Sequence, residues 1–140
     1  MTRRTLIIPL HWLTAFLILA MVKGGTSAEG VRWAFVIGAG IWCAVGLVRG
    51  PLAKPGPKLQ GGLRRIFTPA HWALYLILTA SVVLNALALF DAAWMEAAWT
   101  SLLVLLAAGA LHGLFHFWRH TALMDGALRM IFPKALHRHL

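Results

Sequence analysis

Four long stretches of this sequence contain no Asp, Glu, Lys or Arg, and they constrain the fold more than any other feature. They run over 5–22, 33–48, 66–90 and 97–118. A membrane-crossing helix needs about 20 predominantly apolar residues, so three of the four stretches are long enough to cross. The second has 16 residues, so it must include flanking residues to cross a hydrocarbon core of about 30 Å.

The composition excludes an ordinary soluble domain. Apolar residues make up 60% of the chain and charged residues 12%, whereas soluble domains carry about 25% charged residues. We therefore predict an all-α, four-helix transmembrane bundle, a single membrane domain over 1–140 with the lipid bilayer as its surroundings. The predicted spans are about 5–22, 31–48, 66–90 and 95–118. The lone Cys43 excludes an internal disulfide, a zinc ribbon and a thiolate-held iron–sulfur cluster.

The formal net charge of +9 is unevenly distributed along the chain. Lys and Arg concentrate before the first span, between spans two and three, and after span four. The positive-inside rule predicts that these three regions, and hence both termini, face the cytoplasm. Because the basic residues are explained by orientation, we predict no nucleic-acid partner. The segment 121–132 has an apolar face and is predicted to form a short interfacial helix.

An internal repeat places histidines at matching positions in two spans. Pro9-Leu10-His11-Trp12 recurs as Pro69-Ala70-His71-Trp72. Proline is favoured in the first turn of a helix, so both motifs are predicted to begin a span on the cytoplasmic side. Span four adds His112 and His116, an i, i+4 pair on one helix face. Helical rise then predicts that His11, His71 and His112 share one layer, with His116 about one turn nearer to water.

Several chemistries gather imidazoles inside a helical bundle. The histidines could simply form hydrogen bonds between helices. Zinc is less favoured because it often takes a carboxylate ligand, and no Asp or Glu lies in this layer. Haem iron needs only two imidazoles from facing helices, and small residues nearby leave room for a porphyrin. We therefore expect a haem, with close helix packing as the alternative role of those small residues, which are Gly38, Gly40, Gly46, Ala107, Ala108, Gly109 and Gly113.

At these residues the sequence resembles the bacterial cytochrome b561 family and, more distantly, the cytochrome b subunits of formate dehydrogenases and nickel–iron hydrogenases. The resemblance covers nearly the whole chain. The residues that carry it are His11-Trp12, Val48-Arg49, His71 with Tyr75, His112, Asp125 and Leu128-Arg129-Met130. It implies a multi-pass protein of the bacterial inner membrane, built as a four-helix bundle that binds haem b.

The resemblance also implies which histidines bind iron. The family holds an inner haem between a histidine of span one and a late histidine of span four, which correspond here to His11 and His112. The ligands of its outer haem would fall at about Phe35 and Ala98, neither of which can bind iron. We therefore expect one haem, on the cytoplasmic side.

Other roles at this site stay open. His71 could replace His112 as the partner of His11, or could line the haem edge and contact a propionate or a quinone. Arg49 and Arg129 are expected to bind the haem propionates. A second group of residues comprises candidates for proton transfer to a quinone, namely His71, His116 and His120.

The leading functional prediction is electron transfer to or from quinone or a partner redox protein. One alternative is a superoxide:quinone oxidoreductase, against which the missing outer haem counts. Another is an anchor subunit of a larger membrane complex, with or without haem. We assign no catalytic residue, and the sequence leaves open whether the chain forms a homo-oligomer or joins a complex.

Overall fold

Four α-helices form most of the protein. The computed structural model describes residues 3–24 and 28–139. The helices are α1 (Arg3–Gly24), α2 (Glu29–Arg49), α3 (Gly61–Phe90) and α4 (Met95–Ala122). All four are long and apolar enough to cross a membrane. No strand occurs in these two ranges, so the predicted all-α class is confirmed.

The two repeated prolines lie inside helices rather than in first turns, so that prediction is wrong. Helix α1 starts six residues before Pro9, and α3 starts eight residues before Pro69. Polar contacts explain the early start of α1, because Arg3 donates to the Gly50 carbonyl and Arg4 donates to the Arg129 carbonyl at 2.5 Å. Each proline removes one backbone hydrogen bond, which membrane helices tolerate when neighbouring groups pack around the site.

Helices that follow one another in sequence also pack against one another in space. Helix α1 packs on α2, α2 on α3 and α3 on α4, whereas α1 and α4 touch far less. We call the end at which α1 begins and α4 ends the histidine end, and the other the hairpin end. The loose α1–α4 contact leaves a cleft at the histidine end.

The apolar core lies toward the hairpin end. Phe35 is completely buried there, next to Ala39 and residues of the other three helices. The cluster comprises Ile18, Met21, Phe35, Ala39, Cys43, Leu78, Leu102 and Leu105. Many large apolar side chains instead point outward, as expected where lipid is the solvent. The most exposed of them are Phe16, Val48, Leu76, Phe90, Leu111 and Met124.

The segment after α4 differs from the predicted interfacial helix over 121–132. Helix α4 continues to Ala122, and two short 3₁₀ helices follow at Ala127–Met130 and Lys134–His139. Between them and α4 the backbone turns through positive φ at Met124 (50°) and Gly126 (69°). Such angles interrupt a right-handed helix, so the apolar face of this segment folds back onto the bundle.

Candidate functional site

The α1–α4 cleft at the histidine end is an apolar cavity of about 370 Å³. Its lining includes four histidines: His11 from α1, His71 from α3, and His112 and His116 from α4. The predicted gathering of His11, His71 and His112 around one space therefore agrees with the structure. His116, which was predicted to lie about one turn nearer to water, lines the same cavity.

Three of these histidines are in mutual contact. The ring centres of His71 and His112 are 5.0 Å apart, those of His71 and His116 are 5.5 Å apart, and those of His112 and His116 are 4.5 Å apart. One nitrogen from each ring lies within 4.8 Å of a nitrogen of the other two. We call His71, His112 and His116 the three-histidine cluster.

His71 is held in a defined orientation within this cluster. Its Nδ1 donates to the Phe67 carbonyl, one turn earlier in α3, at 2.7 Å. In the neutral ring this bond leaves the lone pair on Nε2. That Nε2 lies 3.4 Å from Nε2 of His116. The ring also lies 4.2 Å from that of Phe67, centre to centre. The orientation directs the His71 lone pair toward α4.

His11 belongs to the same cavity but has different neighbours. Its ring packs edge-on against Trp12 at 5.6 Å and Trp42 at 5.2 Å, centre to centre. Its Nδ1 is buried and has no hydrogen-bond partner among the residues that the structure describes. A buried imidazole nitrogen without a partner is costly, and His120 Nδ1, outside the cavity, is in the same situation.

The α4 side of the cleft is lined by small residues. Gly109, Ala110 and Gly113 line it next to His112. A Cβ atom added to Gly109 or Gly113 would meet no atom within 4 Å. Neither glycine is therefore required by packing in this structure, and together they leave open space along α4.

An aromatic pair forms the α2–α3 side of the cleft. The Trp42 indole donates to the Tyr75 hydroxyl at 3.0 Å. Tyr75 packs so closely on Gly46 that an added Cβ would lie 2.0 Å from the Tyr75 ring. Glycine is thus required at this position by the close approach of the tyrosine.

Two chain segments close the end of the cleft. Pro51, Leu52 and Ala53 follow α2, and residues 127–132 fold back after α4. The Trp12 indole donates to the Ile131 carbonyl at 3.1 Å, and its ring lies 5.0 Å from that of Phe132. These contacts fasten the C-terminal segment to the start of α1, where it shields the cavity.

A buried ion pair beside the cluster was not predicted. Arg119 and Asp125 are joined by two bonds to one carboxylate oxygen, at 2.7 Å and 2.5 Å. The Arg119 guanidinium also lies 5.0 Å from the Phe67 ring centre. Asp125 stood out in the sequence only through the family resemblance. A pattern signal for the pair was available in principle, because Asp125 is the one acidic residue among the many basic residues at this end.

Several predicted site residues lie away from the cavity. Arg49 and Arg129 are exposed, and neither lines the cleft. His120 also lies outside the lining, one helical turn beyond His116. The structure thus brings together His11, His71, His112 and His116, and leaves Arg49, Arg129 and His120 outside.

The hairpin end offers no comparable space at Phe35 and Ala98. Both residues are 0% exposed, and Phe35 is part of the apolar core. Comparison of the chain with protein-family models, with curated proteins and with solved structures finds no match. The geometry of the histidine end is therefore the basis for any functional conclusion.

Proposed function

We propose that this chain is an integral-membrane b-type cytochrome that binds one haem b and transfers electrons to or from quinone or a partner redox protein. His11 and His112 are the proposed iron ligands. We further propose that it resides in a bacterial inner membrane with its histidine end toward the cytoplasm, an orientation that the basic residues at this end support through the positive-inside rule.

The observation that carries this proposal is the convergence of two histidines from different helices on one cleft. His11 lines the cavity from α1 and His112 lines it from α4. Two imidazoles on facing helices are the usual ligands of a b haem. The space beside Gly109 and Gly113 suits the edge of a flat ring.

His112 is preferred to His71 as the second ligand because of their surroundings. His71 is fixed against Phe67 and directs its Nε2 toward His116. It therefore faces the α3–α4 contact. His112 lies beside the glycines that border the cleft, so a ring rotation directs it into the open space.

Haem b, when bound, supplies a one-electron redox centre. His11 and His112 would hold the iron and leave it no open position, which favours electron transfer over oxygen binding. The segment 127–132 and residues 51–53 would keep water from the cleft. His71 and His116 border the cavity near its closed end, where they could hold or release a proton for a quinone.

Optical spectroscopy tests the haem. Protein purified after expression with ample haem supply should show a b-type reduced-minus-oxidised spectrum and one iron per chain. His11→Ala and His112→Ala should each abolish haem retention, whereas His71→Ala and the matched control His120→Ala should keep it. A colourless wild-type protein, or two haems per chain, would contradict the proposal. Haem loss in His71→Ala with retention in His112→Ala would reassign the second ligand.

Electron transfer to quinone needs a separate measurement. The dithionite-reduced protein, freed of reductant and mixed anaerobically with a short-chain ubiquinone analogue, should reoxidise. Reoxidation in buffer without quinone sets the background rate. If the quinone leaves that rate unchanged, quinone is not the electron acceptor, and a partner protein remains as the redox partner.

A further inference from the structure

We propose that the three-histidine cluster is a second site that binds one divalent transition-metal ion of the zinc type. The ligands are His71, His112 and His116, and the fourth position faces the cleft. This inference does not rest on the proposed haem. The two sites share only His112, so each can fail without the other.

The distances within the cluster fit such an ion. Zinc binds histidine nitrogens at about 2.0–2.1 Å in tetrahedral geometry, which separates two ligand nitrogens by about 3.3 Å. His71 Nε2 and His116 Nε2 are already 3.4 Å apart, and the ligand atoms of all three rings lie within 4.8 Å of one another. Small side-chain rotations would bring the His112 nitrogen to the same centre.

His71 also has the outer partner that a metal-binding histidine usually has. Metal-bound histidines donate the other ring N–H to a carboxylate or backbone carbonyl, which fixes the tautomer and the ring plane. The bond from His71 Nδ1 to the Phe67 carbonyl does this before any ion binds.

The spacing of the two α4 ligands is favourable as well. Histidines at i and i+4 present two nitrogens on one helix face, an arrangement that zinc sites use repeatedly. His71 completes the set from α3, the helix that packs most closely on α4. Phe67 and Phe115 lie beside His116, with ring centres 6.0 Å and 5.6 Å away. These rings restrict the motion of the His116 imidazole.

The charge near the cluster permits a cation. The Arg119 guanidinium lies 5.0 Å from the centre of the Phe67 ring, and its pairing with Asp125 offsets its repulsion of a divalent ion. Imidazole ligands suit zinc, copper, nickel and iron. With three neutral ligands, the fourth position would take water, hydroxide or a small anion from the cleft.

Sharing of His112 has a direct consequence. One imidazole nitrogen cannot bind haem iron and a second ion at once, so haem and the divalent ion should exclude each other. The metal site should therefore be filled in the haem-free chain. Loading with haem should release the ion.

Cobalt(II) is a suitable probe because its visible spectrum reports tetrahedral coordination. Full-length protein prepared without haem, in detergent or nanodiscs, would be titrated with CoCl₂. We expect one Co²⁺ per chain and the intense visible bands of a tetrahedral site, removed by excess Zn²⁺. His71→Ala and His116→Ala should each weaken binding by more than about a hundredfold, because losing even an outer partner typically costs 10- to 100-fold.

Matched variants separate the two sites. His11→Ala should lose haem and keep cobalt, His116→Ala should lose cobalt and keep haem, and His112→Ala should lose both. His120→Ala is the control that should keep both, and a cooperative thermal unfolding transition without added metal confirms that each variant is folded. No cobalt bands in the wild type, or equal binding in wild type and His116→Ala, would overturn the proposal. Cobalt binding with no haem binding would support this site and remove the haem.

Discussion

The two ends of the bundle are built from the same four helices but are filled in opposite ways. Inside the hairpin end, Phe35 and the side chains around it form a close-packed core without an imidazole, and the groove of about 600 Å³ at this end lies open on the α3–α4 surface. At the histidine end, four histidines surround a cavity of about 370 Å³. The apolar core and the histidine-lined cavity are thus separated along the helix axis. The main apolar cluster lies toward the hairpin end, and the histidine end keeps an enclosed space for a ligand.

The difference between the two ends arises from the sizes of a few side chains. Phe35 fills the middle of the bundle, whereas Gly109 and Gly113 leave space along α4. Large and small residues at corresponding places on the helices determine whether neighbouring helices close on one another or stay apart. If this comparison is right, substitutions at the two ends should separate stability from ligand retention.

The largest expected effect is at the hairpin end. Phe35→Ala should lower the free energy of unfolding by about 3–5 kcal/mol, because it removes a fully buried aromatic ring and leaves a cavity. Melting temperature in detergent measures this loss. Haem and cobalt retention, measured below the new melting temperature, should stay unchanged. Loss of either ligand from a folded variant would contradict the separation of the two ends.

A loss of stability is also expected at the histidine end when the buried ion pair is broken. Asp125→Ala leaves Arg119 buried without its carboxylate, and breaking such a pair costs about 3 kcal/mol or more. The expected signs are a lower melting temperature and faster proteolysis after Ala122, since Asp125 also accepts from the Ala127 amide at 2.9 Å. Glu96→Ala, at an exposed acidic position of the hairpin end, is the matched control and should change the melting temperature little. Equal effects in the two variants would show that the pair is not stabilising.

A smaller effect is expected where Tyr75 packs on Gly46. Gly46→Ala should destabilise the chain by about 1–3 kcal/mol, because the new methyl group must displace the tyrosine ring. Movement of Tyr75 should also disturb the bond from Trp42, which tryptophan fluorescence detects. Gly62→Ala is a suitable control, since an added Cβ there meets nothing within 4 Å. An unchanged melting temperature in Gly46→Ala would refute the close approach.

The smallest change in stability, and the sharpest test of the comparison, is at Gly113. Gly113→Ala should stabilise the haem-free chain by up to about 1 kcal/mol, because alanine favours the helix and meets no neighbour. Gly113→Leu should occupy the cleft and reduce haem retention while the haem-free protein stays folded. Leu114→Ala, at an exposed position next in sequence, is the control for a change facing away from the cleft. Full haem binding by Gly113→Leu would place the haem elsewhere.

The spans were predictable because burial in lipid excludes charge over whole helices. The charge-free stretches therefore marked all four helices, with ends extended by up to five residues at α3. The prediction of helix starts from the prolines was wrong. The contacts of Arg3 and Arg4 that extend α1 are made to residues far along the chain, which the local sequence does not reveal. The predicted interfacial helix is interrupted by positive φ angles at Met124 and Gly126. Of these two residues, only the glycine could be recognised in the sequence as a helix breaker.

The depth of the histidines was predictable, but their partners were not. Helical rise sets depth, so His11, His71 and His112 were expected at one level. Which rings meet depends on the rotation of each helix about its axis, which tertiary packing decides. The contact of His116 with His71 was therefore not predicted, whereas its place beside His112 followed from the i, i+4 spacing. Arg49 and Arg129 matched the family resemblance, but their exposed positions depend on the paths of chain segments that no local pattern encodes.

The loose contact between α1 and α4 also determines the route by which a ligand enters the cleft. Residues 51–53 and 127–132 cover the cleft at its water-facing end, while Ala110 and Gly113 on one side and Leu19 on the other remain exposed along the bundle flank. A hydrophobic ligand would then enter the cleft edge-on from the bilayer and leave it by the same route. Its exchange rate should follow lipid composition and lateral pressure more than its concentration in the aqueous phase.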